Sequence, residues 1–177
     1  VEIINVISEG MLEVGRLYEE QEYYLPELVL GGETVEEAMK ILNPLLEAGE
    51  GVPKKATVVA ATVKGDHHDI GKNIVCVMLR AAGYDVKDLG KDVHESKIIE
   101  AVEKYKPEIV ALSALLTMTV VEIETVVNEL KAKGLRDSVK VMCGGAPLNE
   151  ELAKKLGADY YSDDAVNAIE VANKIVA

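Results

Sequence analysis

Apolar residues recur along this chain in two different rhythms. Over residues 1–49 the positions Ile3, Ile4, Ile7, Met11, Val14, Leu17 and Tyr18 return at steps of three and four, which places them on one face of a helix. Pro26 suits the first turn of a second helix, where its missing N–H is not needed, and the pattern from Thr34 to Ala48 carries that helix past Leu46. The pair Gly31-Gly32 predicts a break or kink within it. Gly49-Glu50-Gly51-Val52-Pro53 reads as a linker.

From Lys55 the rhythm changes. Ala56–Val63 is an apolar run interrupted only by Thr57 and Thr62, the pattern of a strand covered on both faces. A helix is expected from Ile70 to Ala82, closed by Gly83. Strands follow at Tyr84–Leu89, Glu108–Ser113, Val139–Cys143 and Asp159–Tyr161. Helices alternate with them at Ser96–Tyr105, Thr119–Lys133 (closed by Gly134), Asn149–Leu156 (closed by Gly157) and Asp164–Val176. Five strands alternating with five helices predict an α/β fold, a five-stranded parallel sheet doubly wound by helices in the flavodoxin-like (Rossmann-like) manner. The expected division is a helical segment over residues 1–51 and an α/β domain over residues 52–177.

Composition narrows the classes. With 177 residues and 49% apolar content, the chain can bury one ordinary core, built without Phe or Trp. Its net charge of −12 repels phosphate backbones and anionic lipid surfaces, so neither nucleic acid nor a membrane is an expected partner. No apolar run approaches the roughly 18 residues of a spanning helix. Cys76 and Cys143 are far apart in apolar segments, which fits reduced, buried thiols and a cytoplasmic protein.

Chemistry should sit beyond the carboxyl ends of the strands, where an open parallel sheet binds its ligands. Three loops meet there: Gly65-Asp66-His67-His68-Asp69-Ile70-Gly71, then Ser113 through Leu115 and Thr117 to Thr119, then Gly144-Gly145. The first is not a phosphate loop, because five residues separate its glycines and Lys72 is followed by Asn73. It does not supply a zinc cluster, because adjacent histidines diverge and no further ligand lies at suitable spacing. Nor does it match a phospho-accepting receiver, since the third strand ends in Ser113 rather than an aspartate. An imidazole backed by a carboxylate remains. Asp66 and His68 are two apart, so in an extended loop their side chains share one side. A carboxylate on one ring nitrogen sets the tautomer and raises the basicity of the other, which prepares a single histidine for a metal that arrives inside a cofactor.

The spacing Asp66-x-His68-x-x-Gly71, 41 residues, Ser113-x-Leu115, 28 residues, Gly144-Gly145 resembles the fingerprint of cobalamin-binding domains. Methionine synthase, certain mutases and the corrinoid proteins of methyltransferase systems carry it. The resemblance covers Lys55 to Ala177. It implies that His68 replaces the nucleotide base of cobalamin or a related corrinoid as lower cobalt ligand (base-off/His-on). The displaced tail would lie in a groove that Gly71, Gly144 and Gly145 keep clear and that Ser113, Leu115 and Thr117 line. Thr119 stands where the methionine synthase arrangement has a serine, and would extend the Asp66–His68 chain by its hydroxyl.

Residues 1–49 likewise resemble part of the helical cap of methyl-carrying members, a helical cap remnant in which Tyr18 and Leu25 would shield the upper cobalt face. Core packing is the plainer reading of both. His67 reads as solvent-facing or as a bystander beside the cofactor. Asp69 suits either the first turn of a helix or a cofactor contact, with Ile70 next to it. Asp164 and Ala165 could touch the tail or simply start the last helix. His94 reads as surface. The resemblance implies a methyl carrier working between a substrate:corrinoid methyltransferase and a methylcorrinoid:tetrahydrofolate or coenzyme M methyltransferase, with a reductive activase. The alternatives are the cobalamin-binding subunit of an adenosylcobalamin-dependent mutase and a cobalamin sensor.

Overall fold

The structure, a computed structural model, describes residues 2–47 and 54–177. The expected linker at residues 49–53 lies outside the described residues. Two helices come first, α1 (Glu2–Glu19) and α2 (Leu25–Glu47). The alternating region then runs β1 (Thr57–Thr62), α3 (Ile70–Ala81), β2 (Asp85–Asp88), α4 (Glu95–Tyr105), β3 (Ile109–Ser113) and α5 (Val121–Ala132). A short 3-10 turn over Arg136–Ser138 precedes β4 (Lys140–Gly144), α6 (Glu150–Lys155), β5 (Tyr160–Tyr161) and α7 (Ala165–Val176).

The five strands form one sheet in the order β2-β1-β3-β4-β5, every pair parallel. The order reverses between β1 and β3, so their carboxyl ends open a crevice there. Strands buried on both faces need apolar residues throughout, and Val58–Val63 is accordingly buried along its whole length. Two apolar layers cover the sheet. Ile98 and Val102 of α4, Ile123, Val126 and Leu130 of α5 and Ala153 of α6 pack on one face. Met78 and Leu79 of α3 and Ala168, Ile169 and Ala172 of α7 pack on the other. Each Val, Leu, Ile or Met side chain among them contributes about 1.5–3 kcal/mol on burial.

Helices α1 and α2 join the second layer through Met11, Leu28 and Val35. Gly31-Gly32 does not break the helix; α2 runs through both. The glycines serve close packing instead. A Cβ on Gly32 would lie 2.5 Å from Val77 Cγ1 of α3, and one on Gly31 would lie 3.2 Å from Val14 Cγ1 of α1. Helix α5 also starts later than the apolar pattern indicates, at Val121, because Thr119 is held in a preceding turn whose N–H donates to the Leu116 carbonyl at 2.9 Å.

Candidate cofactor site

The loop between β1 and α3 rises from the carboxyl end of β1 and turns at Gly65, whose φ of +78° lies in the region that favours glycine. Asp66 follows and is wholly buried. Its Oδ1 accepts the backbone N–H of His68 at 3.0 Å and lies 2.8 Å from His68 Nδ1. Its Oδ2 accepts the N–H of Leu115 at 2.7 Å and of Leu116 at 3.1 Å, both from the loop after β3. Thr119 Oγ1 lies 2.7 Å from the same oxygen and 2.9 Å from the Leu116 carbonyl. A hydroxyl has one proton, and the charged oxygen is the stronger acceptor.

One carboxylate thus collects five donors from two loops. Burial alone would raise its pKa, but the Thr119 hydroxyl, the Leu115 N–H and the two His68 donors together outweigh that penalty. They hold the carboxyl well below its ordinary range. Asp66 is therefore ionised and can only accept, so Nδ1 of His68 carries the ring proton. Nε2 keeps its lone pair and has no protein partner among the described residues. The imidazole is half exposed. Among the described residues no group of three His, Cys, Asp or Glu could hold a metal ion. A metal on Nε2 would have to bring its other ligands with it.

A cavity of about 490 Å³ opens beside this ring. It runs between α3 and the loops after β3, β4 and β5, over the small residues Ala60, Ala111 and Gly144 of the sheet. His67, His68, Asp69, Ile70, Gly71, Ser113, Leu115, Gly144, Gly145 and Ala165 all line it, as does Tyr18 from the end of α1. Asp66 and Thr119 stand behind His68 rather than in the wall. Two expected residues fall elsewhere. Thr117 sits exposed in the turn after β3, which carries it outside the cavity wall. Leu25 begins α2, is 40% exposed and does not line the cavity, whereas Leu28, nearly one helical turn on, is buried and does.

The three glycines differ in what they do. At Gly71 an added Cβ would meet nothing within 4 Å, so it would occupy open space in the wall of the cavity. At Gly144 and Gly145 the obstacle is the protein itself. A Cβ there would lie 2.7 Å from the Ser162 carbonyl and 2.0 Å from the Ala114 carbonyl, and Gly145 has φ +135°. These two glycines let neighbouring loops close around the cavity, rather than keeping it clear.

Sequence reasoning missed several walls: Ile74, Val75 and Cys76 on the inner face of α3, Met142 and Cys143 on β4, and Ser162 and Asp163 after β5. Helical spacing from Gly71 marks the first group, since Val75 lies four residues on. Ser162 has no such signal. Asp164 caps α7 through the Asn167 N–H at 2.8 Å and also lines the cavity. Cys76 and Cys143 are free and buried, and burial pushes their thiols up to about 11 and about 12. His94 caps α4. Among the described residues no helix is long and apolar enough to cross a membrane.

The B12 binding domain family matches residues 56–170, and a second B12 binding domain family matches residues 1–43. The chain belongs to the B12-binding domain family. It is 38% identical over 171 residues to a dimethylamine corrinoid protein of Methanosarcina acetivorans, covering 97% of this chain and 80% of that one. A cobalamin-binding protein of Desulfitobacterium hafniense superposes with a TM-score of 0.85 at 40% identity, covering 99% and 82% of the two chains. A chain of the methanol:cobalamin methyltransferase complex of Methanosarcina barkeri gives 0.87 at 33% identity, covering 99% and 67%. It is thus a B12-binding protein similar to the corrinoid proteins of methyltransferase systems.

Proposed function

We propose that this B12-binding protein is a methyl carrier that holds its corrinoid base-off and His-on. The observation that carries the reading is the free lone pair of His68 Nε2 at the mouth of a cavity, with the opposite nitrogen tied to a buried, ionised carboxylate. The residues present fit the group: one ligating nitrogen, open space over Gly71, and a groove leading away beneath the histidine. When bound, the corrinoid supplies a cobalt that takes up and releases a methyl group.

The chain's own part is ligation, shielding and proton placement. His68 would hold the metal through Nε2. Asp66 keeps the proton on Nδ1 and so keeps Nε2 basic. Thr119, Leu115 and Leu116 keep Asp66 ionised. The tail would lie along Gly71, Ser113, Leu115, Gly144, Gly145 and Ala165, and Tyr18 would shield the opposite side. The relatives named for dimethylamine, and the methanol:cobalamin methyltransferase complex, favour a methyl-donating partner enzyme over a radical mutase. An accepting methyltransferase, using tetrahydrofolate or coenzyme M, and a reductive activase complete the proposed cycle.

The visible spectrum of cobalamin-loaded protein tests this reading. Wild type should show the base-off, His-on form and His68→Ala should not. An unchanged spectrum would remove His68 from the role. Support of a mutase reaction by the adenosyl cofactor on this protein would overturn the carrier assignment.

A further inference from the structure

The loop that bears His68 is gripped by a second loop outside the three matching motifs. Residues 89–94, between β2 and α4, run alongside it. Asp92 Oδ1 accepts the N–H of Gly65 at 2.7 Å, and the N–H of Asp92 donates to the carbonyl of Asp66 at 3.0 Å. This reciprocal pair closes on the two residues that set where Asp66 stands. Asp92 adopts φ +53°, a left-handed conformation uncommon for any residue with a Cβ and best tolerated by Asn and Asp. The same loop is pinned to β1: the Thr62 N–H donates to the Gly90 carbonyl, and the Val93 N–H to the Thr62 carbonyl, both at 3.0 Å. Beyond the histidine, both oxygens of Asp88 take the buried Lys72 Nζ of α3 at 2.6 Å.

We propose that Asp92 is a positioning residue for His68, fixing the height of the imidazole by clamping Gly65 and Asp66. The inference rests on the ligation reading above. Because Asp66 Oδ1 accepts both the backbone N–H and Nδ1 of His68, any shift of Asp66 carries the ring with it. A ligating group must be held to about 0.5 Å, which hydrogen bonds behind the ligand provide. Loss of such supporting contacts costs about 10–100-fold in metal affinity, and Asp92 acts at one further remove, at the low end.

The test compares Asp92→Gly, which keeps the positive φ but loses the carboxylate, with Asp92→Asn, which keeps an acceptor. Wild type loaded with cobalamin and reduced to the Co(II) state should show nitrogen superhyperfine splitting that responds to 15N-histidine labelling. Its absence would sink the ligation reading and this proposal with it. Cyanide titration of the cyanocobalamin-loaded proteins, read by visible absorbance, then gives the balance between His-on and His-off. Asp92→Gly should need roughly tenfold less cyanide for half conversion, and Asp92→Asn should return to within about twofold of wild type. In the cofactor-free protein the Gly65 amide should exchange faster in Asp92→Gly, which reports the lost clamp directly. Asp92→Ser, too short to reach Gly65 in the same way, serves if the glycine variant does not fold. A cyanide midpoint equal to wild type, in a variant whose Gly65 amide exchanges faster, would overturn the proposal and leave His68 ligation intact.

Discussion

Asp66→Asn changes one atom and should switch the ring nitrogen that carries the His68 proton. The carboxylate takes two donors on Oδ1 and three on Oδ2. An amide of the same shape has one oxygen and one NH₂ group. Its oxygen should take the side of Leu115, Leu116 and Thr119, which offers three donors, and so its NH₂ faces His68. Nδ1 can accept from NH₂ only when the ring proton moves to Nε2. The backbone N–H of His68 has no such remedy and is left facing a donor. One orphaned donor costs about 1–3 kcal/mol. Bonds to the amide oxygen are weaker than bonds to a carboxylate, but the neutral group escapes the carboxylate's burial penalty; we take these two effects as offsetting. At about 2–4 °C per kcal/mol for a chain of this size, the melting temperature should fall by about 2–12 °C.

Thermal melts of the cofactor-free protein read the stability, and 15N-histidine NMR reads the tautomer. The pH dependence has a definite sign. The Asp66 carboxyl is lowered in the folded state from an ordinary value of 3.8. Its contribution is fully present above that value and is lost as pH falls through the folded pKa. From the Asp66 carboxyl alone, the gap between wild type and variant should narrow as pH falls below about pH 4. An Asp66→Asn protein that keeps its proton on Nδ1, or melts with wild type, would refute the reasoning.

Two glycine substitutions should separate cofactor space from protein packing. Gly71→Ala meets open space near the start of a helix, so cofactor-free stability should hold or rise by about 0.5–1 kcal/mol while corrinoid affinity drops. Gly145→Ala would put a Cβ 2.0 Å from the Ala114 carbonyl at φ +135°, and should destabilise by about 3 kcal/mol or more before any cofactor is added. Equal effects of the two on the melting temperature would contradict the distinction. Thr119→Val removes one donor from Oδ2 while two N–H groups remain, so it should cost about 1–2 kcal/mol in chemical denaturation, with Thr119→Ser close to wild type. Identical denaturation midpoints for Thr119→Val and wild type would show that the hydroxyl adds nothing to the stability of the buried carboxylate.

The order of elements was legible in the chain because it depends on local rhythm. Period-two and unbroken apolar runs specify buried strands, and period-three-and-four runs specify helices, whatever lies elsewhere. The Asp66–His68 couple was legible for the same reason: two residues apart in an extended loop, they meet without help from the rest of the protein. Residues far apart in sequence were another matter. That Leu115 and Leu116 turn their N–H groups onto Asp66, that Leu28 rather than Leu25 lines the cavity, and that Gly31 and Gly32 admit neighbouring helices without breaking their own were decided only when the sheet brought distant segments together. Asp92 belongs to this second group. Its sequence neighbourhood carries no sign of its hold on Gly65, because a hydrogen bond between loops exists only once parallel pairing has placed the ends of β1 and β2 side by side.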